Sequence, residues 1–364
     1  ATPHDGPVDA VHDILEDVRR RGDAALRELT ARFDGVDLAT CRVDRTEIEG
    51  ALASVESSLR TALETAAAAI EAYHREQVPA DVVVDTDGLS VRGMHRPVDR
   101  AGCYVPGGRA LYPSTVLMTA VPARVAGVGE VVLCVPPGVD GRVPAVTLAA
   151  AAIAGVDEVF AVGGAQAIGA LAYGTETVRP VDVIVGPGNV YVAIAKQLVA
   201  GTVGVPSSFA GPSEVVVIAD GSSPAAYAAV DVILQAEHGP DGLAWLVTWD
   251  TAVADEVTAE VERLVAEAPR RDDIESTLRR SGHAVVCASP EQAIAVANAI
   301  APEHLELQVA DPEAMLPLVR HAGAVFCGPW APASIGDYIA GPSHVLPTNG
   351  TARFASALTV RDFI

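Results

Sequence analysis

The chain has 364 residues, of which 50% are hydrophobic and only 4% are aromatic, and its formal net charge is -22. A chain of this length and composition can bury the cores of two or three domains, and those cores must be built mainly from Ala, Val and Leu. The acidic balance excludes nucleic acid and anionic membrane surfaces as partners, because both carry negative charge.

The N-terminal region is predicted to be helical and then to form a hairpin. Apolar residues recur at three- and four-residue spacing over residues 8–33, and a second helical stretch covers residues 47–77. Strand-like alternation follows from Val82 to Cys103. Asp87-Gly88 lies inside this alternation and is typical of a hairpin turn.

From Gly102 onward the sequence repeats a strand, a glycine-containing turn and a helix. The strands are runs rich in Val and Ile, over residues 130–137, 158–164, 181–188, 214–220, 243–249, 283–289 and 323–328. The helices are rich in Ala, over residues 144–155, 165–173, 189–200, 223–238, 251–266 and 289–300. Near-continuous apolar strands that alternate with helices indicate an α/β fold whose parallel sheets are covered on both faces.

The cysteines and the hydropathy pattern predict a cytoplasmic protein. The five cysteines are far apart and form no C-x-x-C pair, which indicates a reducing compartment rather than a disulfide framework. No segment reaches the ~18 apolar residues that a membrane span needs. The first eight residues also lack the pattern of a secretory signal.

The helix predicted over residues 223–238 carries a polar stripe. Asp231, Gln235 and His238 are spaced at i, i+4 and i+7, which places them on one face, and the helix is expected to end at Gly239-Pro240. Imidazole is a good zinc ligand, and an amide oxygen is an acceptable one. The spacing alone nevertheless favours the solvated face of an amphipathic helix.

Two further segments carry side chains suited to acid–base or metal chemistry. Glu303-His304 lies between a helix and an apolar strand, and a carboxylate beside an imidazole can abstract a proton and activate water, although such a dipeptide is common in ordinary loops. Asp337 and His344 lie in a segment rich in Gly, Pro, Ser and Thr, over residues 328–360. Long loops of this kind are often binding loops, and the sequence supports the functional and structural interpretations equally.

Two glycine-containing turns follow strands and open helices. Gly163-Gly164-Ala165-Gln166 and Gly186-Pro187-Gly188-Asn189 lie where α/β proteins bind ligands, and a helix N-terminus favours anions. Neither turn is a G-x-G-x-x-G fingerprint, and no acidic ribose ligand follows at the usual spacing. The turns support a nucleotide site only weakly, because their glycines also suit tight strand-to-helix packing.

Eight strings together resemble the histidinol dehydrogenase family, in the family's order and at closely similar spacing. They are RGDAALRELTARFDGV (21–36), YVPGGRALYPSTVLM (104–118), VGGAQAIGALAYGTE (162–176), GPGNVYV (186–192), AGPSEVVVIAD (210–220), LQAEHGP (234–240), PEHLE (302–306) and GDYIAGPSHVLPT (336–348). They extend over almost the whole chain. One such string would be weak evidence, but eight in order are highly specific.

The resemblance implies a fold of two doubly wound, incomplete Rossmann-like parallel-sheet domains with N-terminal helices. Residues 1–104 and 216–364 are expected to form the domain with the zinc and catalytic residues. Residues 105–215 are expected to form an inserted α/β domain on the NAD side. Composition alone does not mark these boundaries.

The resemblance also implies an oxidoreductase of histidine biosynthesis. The family oxidises L-histidinol through L-histidinal to L-histidine, the last two steps of the pathway, with two hydride transfers to NAD. His304 corresponds to the general base, and Glu303 to the group that activates water. Gln235, His238 and Asp337 correspond to ligands of a Zn²⁺ ion that also holds the substrate.

Further residues match the family's contacts with its substrate and cofactor. Ser114, Ser213 and His344 match substrate contacts, as do His304 and the three zinc ligands. Tyr104, Gln166 and Asn189 match NAD contacts, which accounts for the missing glycine fingerprint. No cysteine is placed for a thiohemiacetal mechanism, the usual alternative for aldehyde oxidation.

The sequence departs from the family pattern in two places. The family continues beyond the position of Ile364 with a helical tail that crosses to the partner subunit of a homodimer, bringing a fourth zinc-ligating His and a substrate-binding Glu. This sequence contains neither, and Ala333 stands where the family often has a carboxylate.

Two alternatives follow: a paralogue that oxidises another small alcohol, such as a sulfonated diol or an amino alcohol, or a non-catalytic metal- or nucleotide-binding relative. The retained zinc ligands and acid–base pair argue against the non-catalytic relative.

Overall fold

The protein is described by a computed structural model, which covers residues 7–107, 110–207, 211–239 and 242–364. The chain divides into two compact units. The first unit consists of Ala1–Ala210, Asp337–Val345 and Leu358–Ile364, and the second of Gly211–Gly336 and Leu346–Ala357.

The first unit begins with helices and a hairpin and continues as alternating strands and helices. Its elements are α1 (Val8–Arg21), α2 (Asp23–Asp34), α3 (Arg45–Ser54), α4 (Ser57–Arg75), β1 (Val82–Thr86), β2 (Leu89–Gly93), β3 (Arg100–Tyr104), α5 (Pro113–Ala126), β4 (Glu130–Val135), α6 (Ala145–Ile153), β5 (Glu158–Ala161), α7 (Gly164–Tyr173), β6 (Val183–Val185) and α8 (Val190–Val199).

The N-terminal helical region contains two breaks that its periodicity does not predict. The expected helix over residues 8–33 divides at Gly22, whose φ is +53° and where a Cβ would lie 2.3 Å from Oε2 of Glu176. The expected helix over residues 47–77 divides at Val55, whose backbone is extended. Both stretches are helical as predicted, but each consists of two helices.

A parallel sheet forms the centre of the first unit. β1 and β2 make the predicted hairpin as a separate antiparallel pair, and β3 to β6 form a four-stranded parallel sheet of order β5-β4-β3-β6. Apolar residues of α3, α4, α5 and α6 contribute to one core cluster, and those of α1, α2, α7 and α8 to another. Helices therefore cover both faces of this sheet, as in a doubly wound fold.

The boundary between the units differs from the expected one at the N-terminal side. Residues 1–104 belong with residues 105–210 rather than with the C-terminal segments. The physical reason is that β3 pairs with β4 and with β6 inside the sheet, and that α1 contributes to the same apolar cluster as α7 and α8. The short segments Asp337–Val345 and Leu358–Ile364 also join the first unit.

The second unit repeats the strand–helix alternation. Its elements are β7 (Glu214–Ala219), α9 (Ala225–Ala236), β8 (Leu243–Thr248), α10 (Thr251–Glu267), α11 (Arg271–Ser281), β9 (Gly282–Val286), α12 (Pro290–Ile300), β10 (His304–Gln308), α13 (Pro312–Met315), β11 (Ala324–Cys327) and α14 (Ala333–Tyr338), whose last two residues belong to the first unit.

All five strands of the second unit form one parallel sheet of order β11-β10-β7-β8-β9. Counted from β9, this is the 3-2-1-4-5 order of a Rossmann-like sheet without its sixth strand. Residues of α9, α10 and α11 contribute to one core cluster, and residues of α12 and α13 to the other. The predicted class of two incomplete Rossmann-like sheets is confirmed. None of the helices in the described ranges has the length and hydrophobicity to cross a membrane.

Candidate active site

A cluster of connected polar residues in the second unit lies at the amino ends of two neighbouring strands. Glu214 is the first residue of β7 and His304 the first residue of β10, and both residues are buried. Nδ1 of His304 lies 2.8 Å from the backbone carbonyl oxygen of Glu214. Because a carbonyl oxygen only accepts hydrogen bonds, Nδ1 carries the hydrogen, and Nε2 of the neutral ring carries the basic lone pair.

Glu303 completes this cluster. Its Oε2 accepts a hydrogen bond from the backbone N–H of Glu214 at 3.1 Å and lies 3.6 Å from Nδ1 of His304. In return, the backbone N–H of Glu303 donates to Oε2 of Glu214 at 3.3 Å. Burial and the negative charge of Glu303 raise the pKa of Glu214 to about 7. The predicted acid–base pair therefore lies against a second carboxyl group.

Glu214 is not among the residues that the sequence predicts for the site. The available signal is a carboxylate at the first position of EVVVIA, a strand whose other residues are apolar and whose six residues are all buried. Burying a carboxyl group is costly unless it is hydrogen-bonded, so such a residue must have a specific partner. Ligand-binding residues of α/β proteins are usually expected at the carboxyl ends of the parallel strands, and Glu214 lies at the opposite edge of the sheet.

Gln235 and His238 lie at the end of α9, which leads back to the amino edge of the same sheet. The helix ends at Ala236 rather than at residue 238, and His238 follows it in a turn. Gln235 is only 5% exposed, and its Nε2 has no hydrogen-bond partner in the part of the chain that the structure describes. His238 is exposed, and its Nδ1 lies 3.2 Å from the carbonyl oxygen of Leu234. Nδ1 is again the donor, which leaves Nε2 with the lone pair that a metal requires.

The backbone of Ser213 lies near the backbone of Gln235 in space. The carbonyl oxygens of Ser213 and Gln235 would lie 3.4 and 3.6 Å from a Cβ placed on Gly242, so the start of β7 and the end of α9 meet at this glycine. The backbone carbonyl of Ser213 also accepts the N–H of Leu243 at 3.1 Å. Pro240, part of the predicted helix stop, lies outside the described residues.

Asp231, the third member of the predicted stripe, has different partners. Nε2 of Gln308 donates to Oδ2 of Asp231 at 2.7 Å and to Oε2 of Glu306 at 3.0 Å, and all three residues are buried. Oε1 of Glu306 accepts the backbone N–H of Ala333 at 2.9 Å. Burial and the negative charge of Asp231 raise the pKa of Glu306 well above its ordinary value. The stripe is thus neither a solvated face nor a set of three ligands, because Asp231 belongs to a buried polar cluster.

The first unit brings together two of the predicted residues. Oγ of Ser114, in the first turn of α5, donates to Oδ1 of Asp337 at 3.3 Å. Both side chains are partly buried, and so is His344. Ser343, next to His344, is buried and donates from Oγ to the carbonyl oxygen of Met118 at 2.9 Å. This bond ties the loop that carries His344 to α5.

Tyr104, Gln166 and Asn189 share the carboxyl edge of the first unit's sheet. Tyr104 ends β3, and its hydroxyl oxygen accepts the N–H of Gly164 at 3.0 Å. Gln166 is buried in the first turn of α7, and Asn189 caps α8 by accepting the N–H of Val192 at 3.1 Å. These positions follow β3, β5 and β6, at the edge where such sheets bind ligands.

A buried lysine holds the turn before α8. The amino group of Lys196 donates to the carbonyl oxygens of Gly186 and Ser207, and burial lowers its pKa to about 8. Gly186 has φ +106°, and a Cβ there would lie 2.0 Å from the carbonyl oxygen of Tyr104. Only glycine fits this close approach, so packing alone already requires a glycine in this turn, whether or not the turn also binds a ligand.

None of the cysteines is disulfide-bonded, and burial raises the pKa of every thiol, that of Cys41 to about 11 and that of Cys103 to about 12. A nucleophilic cysteine needs a lowered pKa, so these thiols are unsuited to covalent catalysis. Within the described ranges, no group of three or more His, Cys, Asp or Glu side chains is arranged to hold a metal ion. Gln235 and His238 belong to the second unit, whereas Asp337 belongs to the first.

Comparison with known proteins gives consistent results over nearly the whole chain. A family model described as histidinol dehydrogenase matches residues 3–364. The histidinol dehydrogenase of a Synechococcus strain is 52% identical over 358 residues, which are 98% of this chain and 82% of that protein. The histidinol dehydrogenase of Pseudomonas putida is 52% identical over 357 residues, which are 97% of this chain and 80% of that protein. The crystal structure of histidinol dehydrogenase from Elizabethkingia anophelis superposes with a TM-score of 0.94 at 38% identity, covering 98% of this chain and 82% of that one.

Proposed function

The chain belongs to the histidinol dehydrogenase family, and from this membership we infer that it oxidises histidinol in histidine biosynthesis. The reaction takes L-histidinol through L-histidinal to L-histidine and transfers two hydrides to NAD. Of the two alternatives that the sequence leaves open, a paralogue with another alcohol is disfavoured by relatives at 52% identity that are named histidinol dehydrogenase. A non-catalytic relative is disfavoured by the buried, hydrogen-bonded Glu303-His304 pair.

The observation that carries the chemistry is the tautomer of His304. Its Nδ1 hydrogen is directed to the backbone carbonyl of Glu214, so Nε2 acts as the base. In the first oxidation, Nε2 takes the proton of the substrate hydroxyl as the carbinol carbon loses a hydride, which gives the aldehyde. A neutral imidazole is suited to this step near neutral pH, because its ordinary pKa is close to 6.5.

Glu303 serves the second oxidation. Its carboxylate takes one proton from water as the water oxygen bonds to the aldehyde carbon, and His304 returns the proton that it took in the first oxidation to the aldehyde oxygen, which gives the hydrate and a neutral imidazole. The hydrate then loses one proton to His304 and a hydride to bound NAD, which gives the carboxylic acid, and this acid ionises to the carboxylate product. The position of Glu303, 3.6 Å from the imidazole of His304, supports two bases that act on one carbon in succession.

We propose that Gln235, His238 and Asp337 hold a zinc ion. An amide oxygen, an imidazole nitrogen and a carboxylate make a donor set that suits zinc, and three protein ligands leave room for the substrate. Two observations support this assignment. The buried amide of Gln235 has no hydrogen-bond partner for Nε2, and a 180° flip of the amide would place its oxygen in that unpartnered position. The tautomer of His238 presents Nε2 for coordination. When bound, zinc supplies positive charge that orients the substrate and favours its alkoxide.

We further propose that the first unit binds NAD through Tyr104, Gln166 and Asn189. The helix N-termini of α7 and α8 follow glycine turns at the carboxyl edge of the sheet and favour the negative charge of a pyrophosphate. When bound, NAD accepts the hydride, and the protein supplies orientation. Ser114, Ser213 and His344 are proposed as further substrate contacts, together with His304 and the three zinc ligands.

Two wider proposals follow from the family resemblance. We propose a homodimer with shared active sites, which measurement of the solution mass checks. We also propose a cytoplasmic location, since the five unpaired thiols suit a reducing compartment.

A substrate panel tests the proposed function. The zinc-loaded protein is assayed for NADH formation with L-histidinol, with a second amino alcohol and with a sulfonated diol. We expect kcat/KM for L-histidinol to exceed the other values by at least ~100-fold, because a site built for an imidazole rejects substrates that leave its polar groups unpaired. Preference for another alcohol would identify a paralogue, and zinc binding without turnover of any alcohol would identify a non-catalytic relative.

A further inference from the structure

The backbone N–H, the backbone carbonyl and the carboxyl group of Glu214 each contact the dipeptide Glu303-His304. The backbone N–H of Glu214 donates to Oε2 of Glu303 at 3.1 Å, and its own Oε2 accepts the N–H of Glu303 at 3.3 Å. The backbone carbonyl of Glu214 accepts from Nδ1 of His304 at 2.8 Å. The three bonds fix the main chain and side chain of Glu303 and the ring of His304 to the edge of one neighbouring strand.

The side chain and the main chain of Glu214 act on different members of the dipeptide. The main-chain carbonyl orients His304, and this contact persists in any substitution at position 214 that preserves the strand. The carboxyl group accepts hydrogen bonds from the backbone of Glu303 and of Asn349 and lies beside the Glu303 carboxylate. Substitutions of the side chain therefore act first on Glu303.

Packing of the strand alone does not account for a carboxyl group at this position. Glu214 is 6% exposed and precedes five buried apolar residues, so an apolar first residue would suit the strand, but it would leave the N–H of Glu303 unpaired. The charged or titratable groups near Glu214 are the carboxylate of Glu303, the imidazole of His304 and the guanidinium of Arg353, and the backbone N–H of Asn349 also bonds to its carboxyl group. Because two buried carboxyl groups face each other, together they favour holding one proton.

We propose that Glu214 is a positioning residue, which holds Glu303 at the sheet edge in the geometry needed to activate water and does not itself touch the substrate. The proposal rests on the proposed function of Glu303. Since Glu303 acts on the aldehyde, the side chain of Glu214 affects the second oxidation more than the first. A carboxyl group that is protonated below about pH 7 also gives the second oxidation a pH dependence of its own.

Two variants of the full-length, zinc-loaded enzyme test this. Glu214→Leu removes the acceptor and leaves the N–H of Glu303 unpaired, whereas Glu214→Gln keeps the acceptor but cannot ionise. With histidinal as substrate, Glu214→Leu is expected to lower kcat by ~10-fold or more, and with histidinol the first hydride transfer, followed in single turnover, is expected to fall by less than ~3-fold. Glu214→Gln should restore most of the histidinal activity and should lack the inflection near pH 7 that is expected for the parent enzyme.

Glu306→Gln is the matched control, because it also changes a buried carboxyl group of this sheet to an amide, and the carboxyl group of Glu306 is hydrogen-bonded to Gln308 and to the backbone of Ala333. It should leave both rates unchanged. Equal losses in the two oxidations for Glu214→Leu, or a Glu214→Gln variant no better than Glu214→Leu, would overturn the proposal.

Crystal structures of the two variants separate this proposal from the proposed function. Glu214→Leu should show the main chain of Glu303 displaced from β7, and Glu214→Gln should keep it in place. If the parent protein fails to oxidise histidinol, the proposed function fails, but these structures still decide whether Glu214 positions Glu303. An undisplaced Glu303 in Glu214→Leu would contradict the positioning role.

Discussion

Oγ of Ser114 and Oδ1 of Asp337 are 3.3 Å apart, although 223 positions separate the two residues in the sequence. The hydroxyl donates to a carboxylate that is proposed to ligate zinc, and a ligating carboxylate is commonly oriented by a hydrogen bond of this kind. The contact joins the first turn of α5 to α14.

Ser114→Ala should weaken zinc retention and raise KM for histidinol. The loss of one hydrogen bond to a charged group corresponds to about 1.5–3 kcal/mol, or roughly 10- to 150-fold in affinity. Zinc affinity measured by competition with a chelator checks this, and Ser114→Thr, which keeps the hydroxyl, is the control. An Ala variant with unchanged zinc affinity and unchanged KM would show that this bond is incidental.

His304→Asn should lower kcat by the ~10²–10⁴-fold typical of losing a general base, with zinc content unchanged. The reason is that His304 acts on the substrate proton and is not a proposed metal ligand. Steady-state kinetics and metal analysis of the same preparation check both parts. A preparation of His304→Asn that has lost its zinc would show that the role assigned to His304 is wrong.

His238→Asn should affect zinc binding, which His304→Asn should leave unchanged. Because Nε2 of His238 is a proposed ligand, the variant should lose zinc, and activity should return only in part at high zinc concentration. His12 offers a control, since it lies on α1, outside both candidate sites, and His12→Asn should retain zinc and activity. Full zinc content in His238→Asn would remove this residue from the ligand set.

Glu306→Gln should change how stability depends on pH. Burial and Asp231 raise the pKa of Glu306 in the folded protein above its ordinary value of 4.5, so the folded state binds more protons than the unfolded state above that pH. Stability is therefore fully present below the ordinary pKa and falls as pH rises toward the raised value.

The Glu306→Gln variant has no titrating group at this position, so it lacks this loss of stability at rising pH. At pH 7 it should be more stable than the parent by at least about 1 kcal/mol, since one pKa unit corresponds to ~1.4 kcal/mol. At pH 4 the difference should be small. Urea unfolding at the two pH values checks the prediction, and a variant that is less stable at pH 7 would show that the carboxyl group is ionised and well stabilised.

The alternation of strands and helices could be predicted from the sequence because both sheets are buried on two faces. Each strand then becomes a nearly continuous apolar run, as in EVVLCV and EVVVIA, and each helix has an apolar side. The hairpin turn at Asp87-Gly88 is likewise a local signal. The division into units could not be predicted, because it depends on β3 pairing with β6 some 80 positions away.

The candidate site was predictable only in part. The spacing of Asp231, Gln235 and His238 predicts that all three lie on one face of a helix. In the structure, however, α9 ends at Ala236, before His238. Asp231 is instead hydrogen-bonded to Gln308, a residue 77 positions away. Glu214 could not be found from its neighbours, since its partners come from a different strand. Local patterns identified side chains able to do the chemistry, and long-range contacts decide which of them work together.

Product analysis tests the central claim most directly. The purified zinc-loaded protein is incubated with L-histidinol and excess NAD, and NADH and L-histidine are quantified together. The proposed function predicts two NADH for each L-histidine formed, with no accumulation of free histidinal, and product formation at least ~100-fold slower with His304→Asn under the same conditions. One NADH per histidinol with histidinal as the final product, or no NADH at all with zinc restored, would contradict it.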